Sequence, residues 1–229
     1  MIEGLPSDVD VPDGILLAGY FVTAPERLAG SGMPRTERLV TASECLSDRL
    51  SQDGCWFGTA REALTACLLF QVPAEARLYA LLVPSEHVGG FVADIRAAGT
   101  DEPVLLAHLD GRGVGEAAAR EMAEDGHELG WEVLGYDYGL LHSWLCNNLY
   151  DDGVRSLGVG VNEHGLLPDR DTAQRVAAWA NARVDTKPVT WFPGALIEWD
   201  TPIRSRLRPA GTETAPSAAQ PWWRRILDR

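Results

Sequence analysis

The chain has 229 residues, 45% of them hydrophobic and 23% charged, which fits a globular protein able to bury a sizeable core in one domain. A formal charge of -13 and an isoelectric point near 4.7 argue against nucleic acid as a partner, because phosphate binding needs a cationic surface to release counterions. No segment approaches the roughly 18 to 20 uninterrupted apolar residues of a membrane span.

The first 14 residues are acidic and carry Pro and Gly, so they read as a loose lead-in. They lack the basic and apolar regions of a signal peptide, and the expected compartment is the cytoplasm. Ile15 to Val22 (ILLAGYFV) is a short apolar run of the buried-strand kind. Thr23 to Arg38 reads as a loop, broken by Pro25, Gly30, Gly32 and Pro34. Thr41 with Glu44, and Thr59 with Glu62, both fit the capping box that opens a helix. Ala63, Leu64, Cys67 and Leu68 continue the second of these at helical spacing. Between them, Cys55 lies in an Asp-Gly-Cys-Trp-Phe-Gly cluster ahead of a helix N-terminus, where the dipole lowers a thiol pKa. Cys45 and Cys67 sit in helical apolar patterns and read as small buried hydrophobes.

Arg77 to Val83 predicts a strand, Ser85 to Ala98 a helix with Phe91, Val92 and Ile95 inward, and Pro103 to Leu109 a further buried strand. Gly115 to Glu124 is helix-prone. The turn before it, Gly111-Arg112-Gly113-Val114-Gly115, has the spacing GxGxG and not the GxGxxG of a dinucleotide site, so it reads as a strand-to-helix turn. Trp131 to Tyr136 predicts a strand, and Asp137 the cap of a helix over residues 139 to 150. On that helix Leu141, Trp144, Leu145 and Leu149 would share the apolar face, with His142 and Cys146 together along its edge. An imidazole beside a thiol is the pairing in which a base activates a nucleophile. His142, Cys146 and His164 also offer three metal donors, but without the paired spacing of a zinc site.

Asp151 to Ser156 reads as a turn, and Asn162-Glu163-His164-Gly165 as a loop of converging polar groups. Asp171 with Gln174 predicts another capped helix reaching Arg183, and Val189 to Trp199 a strand broken at Pro193-Gly194 and placed at a sheet edge. Residues 209 to 221 read as a Pro/Ala/Ser/Thr-rich flexible linker that leads into Trp222 to Leu227, a short basic Trp-rich amphipathic peptide. Residues 201 to 229 hold 6 Arg against 2 acidic residues, net +4, behind an acidic body. The single lysine, Lys187, stands beside 19 arginines, an imbalance that reads as bacterial codon bias.

The segments GWEVLGYDYGLLHSWLCNNL, GVGVNEHGLL and WFPGALIEW resemble a pattern recurring in a family of uncharacterised bacterial proteins. The likeness covers about residues 130 to 200 and implies that Asp137, His142, Ser143, Cys146, Asn147 and Asn162 to Gly165 form one unit. That family has no settled activity, so the likeness assigns no catalytic roles.

Alternating strands and helices through residues 15 to 208 predict a single α/β domain with a mixed sheet, followed by a disordered tail. Two function classes follow. The first is an acidic, Trp-rich domain that binds a basic protein or peptide, for instance as the neutralising, immunity-type partner of a bacterial toxin. The second is an enzyme with His142 as base, Cys146 or Cys55 as nucleophile, and Asp137, Glu163 or His164 as the orienting group, acting on a basic peptide or amine. Neither requires a cofactor or a metal.

Overall fold

A computed structural model describes residues 14–28, 33–46, 56–69, 72–99, 102–109, 126–146 and 149–199. The elements in chain order are β1 (Ile15–Thr23), β2 (Glu26–Leu28), β3 (Thr36–Leu39), α1 (Ala60–Leu69), β4 (Arg77–Pro84), α2 (Ser85–Ala98), α3 (Pro103–Leu109), β5 (Gly126–Asp137), β6 (Leu140–Ser143), α4 (Leu149–Leu157), α5 (Arg170–Asn181) and β7 (Phe192–Trp199). Five strands form one sheet in the order β1-β4-β7-β5-β6, and β2 pairs with β3 in a small second sheet. The chain is thus a mixed α/β domain, as its alternating pattern predicts.

Every pairing in the larger sheet is antiparallel, which corrects the expected mixture of strand directions. The reason lies in the last strand. The α2–α3 crossover joins β4 to β5, but those strands are not neighbours, because β7 enters between them and runs antiparallel to both. Residues on β4 alternate between the two faces of the sheet. Leu78, Ala80 and Leu82 pack on one side with Ala63 of α1 and Val176 and Ala177 of α5. Tyr79, Leu81 and Val83 pack on the other with Phe91 and Ile95 of α2 and Leu105 of α3. Helices therefore cover both faces, and the apolar run of β4 is continuous because neither face meets water.

Several local expectations are overturned by tertiary contacts. Thr23 to Arg38 contains the β2–β3 hairpin, whose Arg27–Glu37 ion pair spans 3.1 Å. Pro103 to Leu109 is helical: proline suits a first helical position because its missing N–H has no partner there anyway, and Leu106 N–H bonds the carbonyl of Glu102 at 3.0 Å. Thr41 and Glu44 cap no helix, since their side chains are engaged by β5 and β6. Asp137 likewise opens a hairpin turn. Tyr138 (φ 51°) and Gly139 (φ 83°) both take the left-handed region, as a two-residue loop between β5 and β6 demands. In place of the expected helix over 139 to 150, residues 140–146 form β6 and a turn, residues 149 and 150 open α4, and Asp151 to Ser156 falls inside α4.

The cap of α5 is Asp169, which accepts the Thr172 N–H at 2.7 Å, two residues before the expected start. β7 is unbroken and central instead of peripheral. Pro193 is tolerated there because the β4–β7 ladder runs only from Ala195 to Glu198, so no bond to β4 is lost. The capping box at Thr59 and Glu62 forms as expected, with reciprocal bonds of 3.1 Å each way. The lead-in, Cys55, the Gly111–Gly115 turn, the helix-prone 115–124 and the linker with its basic peptide lie outside the described residues. Among the described residues, no helix is long and apolar enough to cross a membrane.

Candidate functional site

The β5–β6 hairpin sets His142 opposite Gly135, next to the turn that carries Cys146. A third segment, residues 41 to 46, lies along the outer edge of β6. It is held there from two sides. Glu132 of β5, only 1% exposed, accepts the Thr41 hydroxyl at 2.5 Å and the Ala42 N–H at 2.8 Å. Glu44 N–H bonds the Leu141 carbonyl at 3.0 Å, and the Glu44 carboxylate accepts the Leu141 N–H in return. A buried carboxylate that accepts two donors fixes its partners firmly, since losing either bond removes part of what offsets its burial.

This docking delivers Cys45 into contact with the two side chains singled out in the sequence. Its Sγ lies 3.1 Å from His142 Nδ1, 3.0 Å from Cys146 Sγ and 3.1 Å from Ser43 Oγ. Cys45 is exposed, Cys146 half-buried, and His142 buried. The expected closeness of His142 and Cys146 is found, but through a hairpin and a turn instead of one helical edge. The hydrogen bond from Cys146 pulls the Cys45 thiol down to about 5, with Ser43 and His142 adding to the effect against the cost of burial. Cys146 is pushed up, first by donating to Cys45 and then by burial, so it keeps its proton. Its sulfur also lies 3.0 Å from the Ser143 carbonyl oxygen. An accessible thiol whose pKa is lowered thus touches a half-buried one whose pKa is raised.

On the far side of the imidazole, Lys187 Nζ lies 2.9 Å from His142 Nε2 and 3.5 Å from Asp137 Oδ2. Asp137 therefore reaches the cluster through the lysine. Glu163 and His164 have other contacts: the Glu163 carbonyl accepts the Thr36 hydroxyl, and the His164 carbonyl accepts Val40 N–H at 3.1 Å. Asn162 Oδ1 closes their turn by accepting the N–H groups of His164 at 2.9 Å and Leu166 at 3.1 Å. Cys67 is a buried thiol, as expected, and burial raises it to about 11. Cys45 departs from the same expectation, since it is exposed.

The donor atoms of Cys45, His142 and Cys146 lie within 4.8 Å of one another, a set of the soft-metal type. Contacts of 3.0 and 3.1 Å are shorter than the roughly 3.5 to 3.8 Å separations that tetrahedral bonds of about 2.0 to 2.3 Å impose. Reading along the chain missed Cys45 and Lys187, because 101 residues separate Cys45 from Cys146 and 45 separate Lys187 from His142. No protein-family model, curated protein or solved structure matches the chain.

Proposed function

We propose that the protein is a thiol-based redox protein whose Cys45 and Cys146 cycle between a dithiol and a disulfide. The observation that carries this reading is the 3.0 Å contact between an exposed and a half-buried sulfur, with an imidazole nitrogen 3.1 Å from the exposed one. Cys45, as thiolate, attacks one sulfur of a substrate disulfide; the new S–S bond forms as the old one breaks, and the electron pair leaves on the second substrate sulfur, which takes up a proton. Cys146 then gives up its proton to water or base and attacks Cys45 Sγ. The protein disulfide forms as the bond between Cys45 and the substrate breaks, and the substrate sulfur that Cys45 attacked departs as a thiolate and takes up a proton. Two electrons pass from the protein dithiol to the substrate, which ends as two thiols. An attacking thiol that is ionised near neutral pH and a resolving thiol that is not are the division of labour this exchange requires.

The substrate we favour is a polypeptide disulfide. Tyr138, 86% exposed, and Leu140, 44% exposed, stand on the tip of the hairpin whose stem carries Asp137 and His142, and they offer an apolar contact beside the thiols. The acidic body favours a basic polypeptide over an anionic small disulfide. This keeps the basic partner of the protein-binding reading but changes its purpose from neutralisation to exchange. The tryptophans lend less to a binding role than their number suggests, since Trp56, Trp131, Trp144 and Trp191 are all buried in the core.

The test is equilibration of the purified protein in thiol–disulfide buffers of graded potential, followed by peptide mapping under non-reducing conditions. A reversible Cys45–Cys146 bond, with Cys146→Ser stalling as a mixed disulfide on Cys45, is the expected result. Absence of that bond across the range of roughly -120 to -300 mV spanned by thiol–disulfide proteins and their cellular buffers would overturn the reading.

A further inference from the structure

We propose that Lys187 is a positioning residue that holds the His142 ring with its proton on Nδ1, aimed at Cys45. The inference rests on the dithiol reading and adds to it the group that prepares the thiolate. An ammonium has three N–H donors and no acceptor. At 2.9 Å from Nε2, Lys187 can bond the imidazole only if that nitrogen offers its lone pair. The ring proton must then sit on Nδ1, 3.1 Å from Cys45 Sγ, where it donates to the thiolate. Asp137 Oδ2, 3.5 Å from Nζ, orients the lysine. Which imidazole nitrogen carries the proton is set by the hydrogen bond made at the other, so a side chain that never touches the sulfur controls the donor that does.

Composition sharpens the point. Every other basic side chain apart from the histidines is an arginine, 19 in all, and the one lysine is the one that meets this ring. It sits at a bend between α5 and β7, where the Val189 N–H bonds its carbonyl at 2.8 Å. A compact ammonium on a flexible stem can satisfy one ring nitrogen and one carboxylate oxygen together, which the rigid fork of a guanidinium does less readily. The same placement bears on metals. A protonated Nδ1 has no lone pair to give, so the cluster is prepared for a thiolate and not for a cation. Among the described residues, the groups that face Cys45 include Cys146, Ser43 and His142, and behind them stand Lys187, Asp137, the buried Glu132 and Glu44.

The experiment compares reduced wild type, Lys187→Met and Lys187→Arg by long-range proton–nitrogen NMR of the labelled imidazole and by the pH profile of Cys45 alkylation. Wild type should show the proton on Nδ1. Lys187→Met should move it to Nε2 and slow alkylation at pH 6 by roughly fourfold or more, as the thiolate fraction falls. Lys187→Arg, which also donates to Nε2, should restore the tautomer and part of the rate. A Lys187→Met protein that keeps the Nδ1 proton and the wild-type profile overturns the proposal. So does a Lys187→Arg protein that folds, as judged by circular dichroism, yet rescues neither readout. The two readings fail separately: a wild-type chain that forms the Cys45–Cys146 bond while Lys187→Met changes nothing refutes only the lysine, whereas no disulfide in wild type refutes the redox cycle itself.

Discussion

Among single residues, the division between the cysteines is the sharpest consequence of the structure. Cys45 is exposed and its thiol is brought down to about 5, chiefly by the hydrogen bond from Cys146, whereas Cys67 is buried and raised to about 11. Iodoacetamide at pH 7 should therefore label Cys45 in the folded, reduced protein and leave Cys67 untouched until denaturant is added. Because the Cys45 shift is downward, its labelling rate should hold steady between pH 8 and 6 and decline only as pH drops through about 5, which stopped-time mass spectrometry can follow. Glu132 is the second residue to test. Glu132→Ala leaves the Thr41 hydroxyl and the Ala42 N–H without their acceptor. We expect a loss of about 1 to 3 kcal/mol in urea unfolding, with slower formation of the Cys45–Cys146 bond as residues 41 to 46 loosen.

At the level of elements, the predictions concern how strands and turns carry the site. Gly194 lies in the sheet centre, where an added Cβ would come within 2.6 Å of Leu81 Cδ1. Gly194→Ala should overpack the core by about 1 to 3 kcal/mol, read as a lower denaturation midpoint with the thiols still paired. Thr59→Ala at the head of α1 removes one half of a reciprocal cap and should cost about 1 kcal/mol without touching thiol reactivity. Elements also mark where reading from sequence succeeded. β1 and β4 were legible from unbroken apolar runs of the right length, α1 from a capping box followed by helical spacing, and α2 from the helical spacing of Phe91, Val92 and Ile95, although its N-cap is Pro84 and not the expected Ser85. Thr41–Glu44 and Asp137 misled for one shared reason. A hydroxyl or carboxylate at a helix-like offset takes whichever partners the fold brings near: Thr41 donates to Glu132 of β5, Glu44 accepts the Leu141 N–H of β6, and Asp137 meets Lys187. Pro103 to Leu109 misled because a seven-residue run, apolar apart from His108, fits a strand and two helical turns equally well.

For the molecule as a whole, the cluster joins segments that are remote along the chain, and that has a thermodynamic signature. A Cys45–Cys146 bond closes a loop of 101 residues, so the oxidised protein should be more stable than the reduced one by about 2 to 4 kcal/mol, measured as a shift of the urea midpoint with and without reductant. An oxidised form that is no more stable would mean that closing the bond strains residues 41 to 46. The amino-acid sequence by itself determined the class of the protein, an acidic α/β domain with the apolar strands β1 and β4 and the capped helix α1 in their places, and brought His142 and Cys146 into one neighbourhood. Those features depend on periodicity, composition and short spacing, which are local. Only the tertiary structure decided that β7 would sit between β4 and β5, that every pairing would be antiparallel, and that Cys45 and Lys187 would meet opposite nitrogens of one imidazole. Strand order and long-range side-chain contact arise from how whole elements bury one another, and no window of neighbouring residues contains that information.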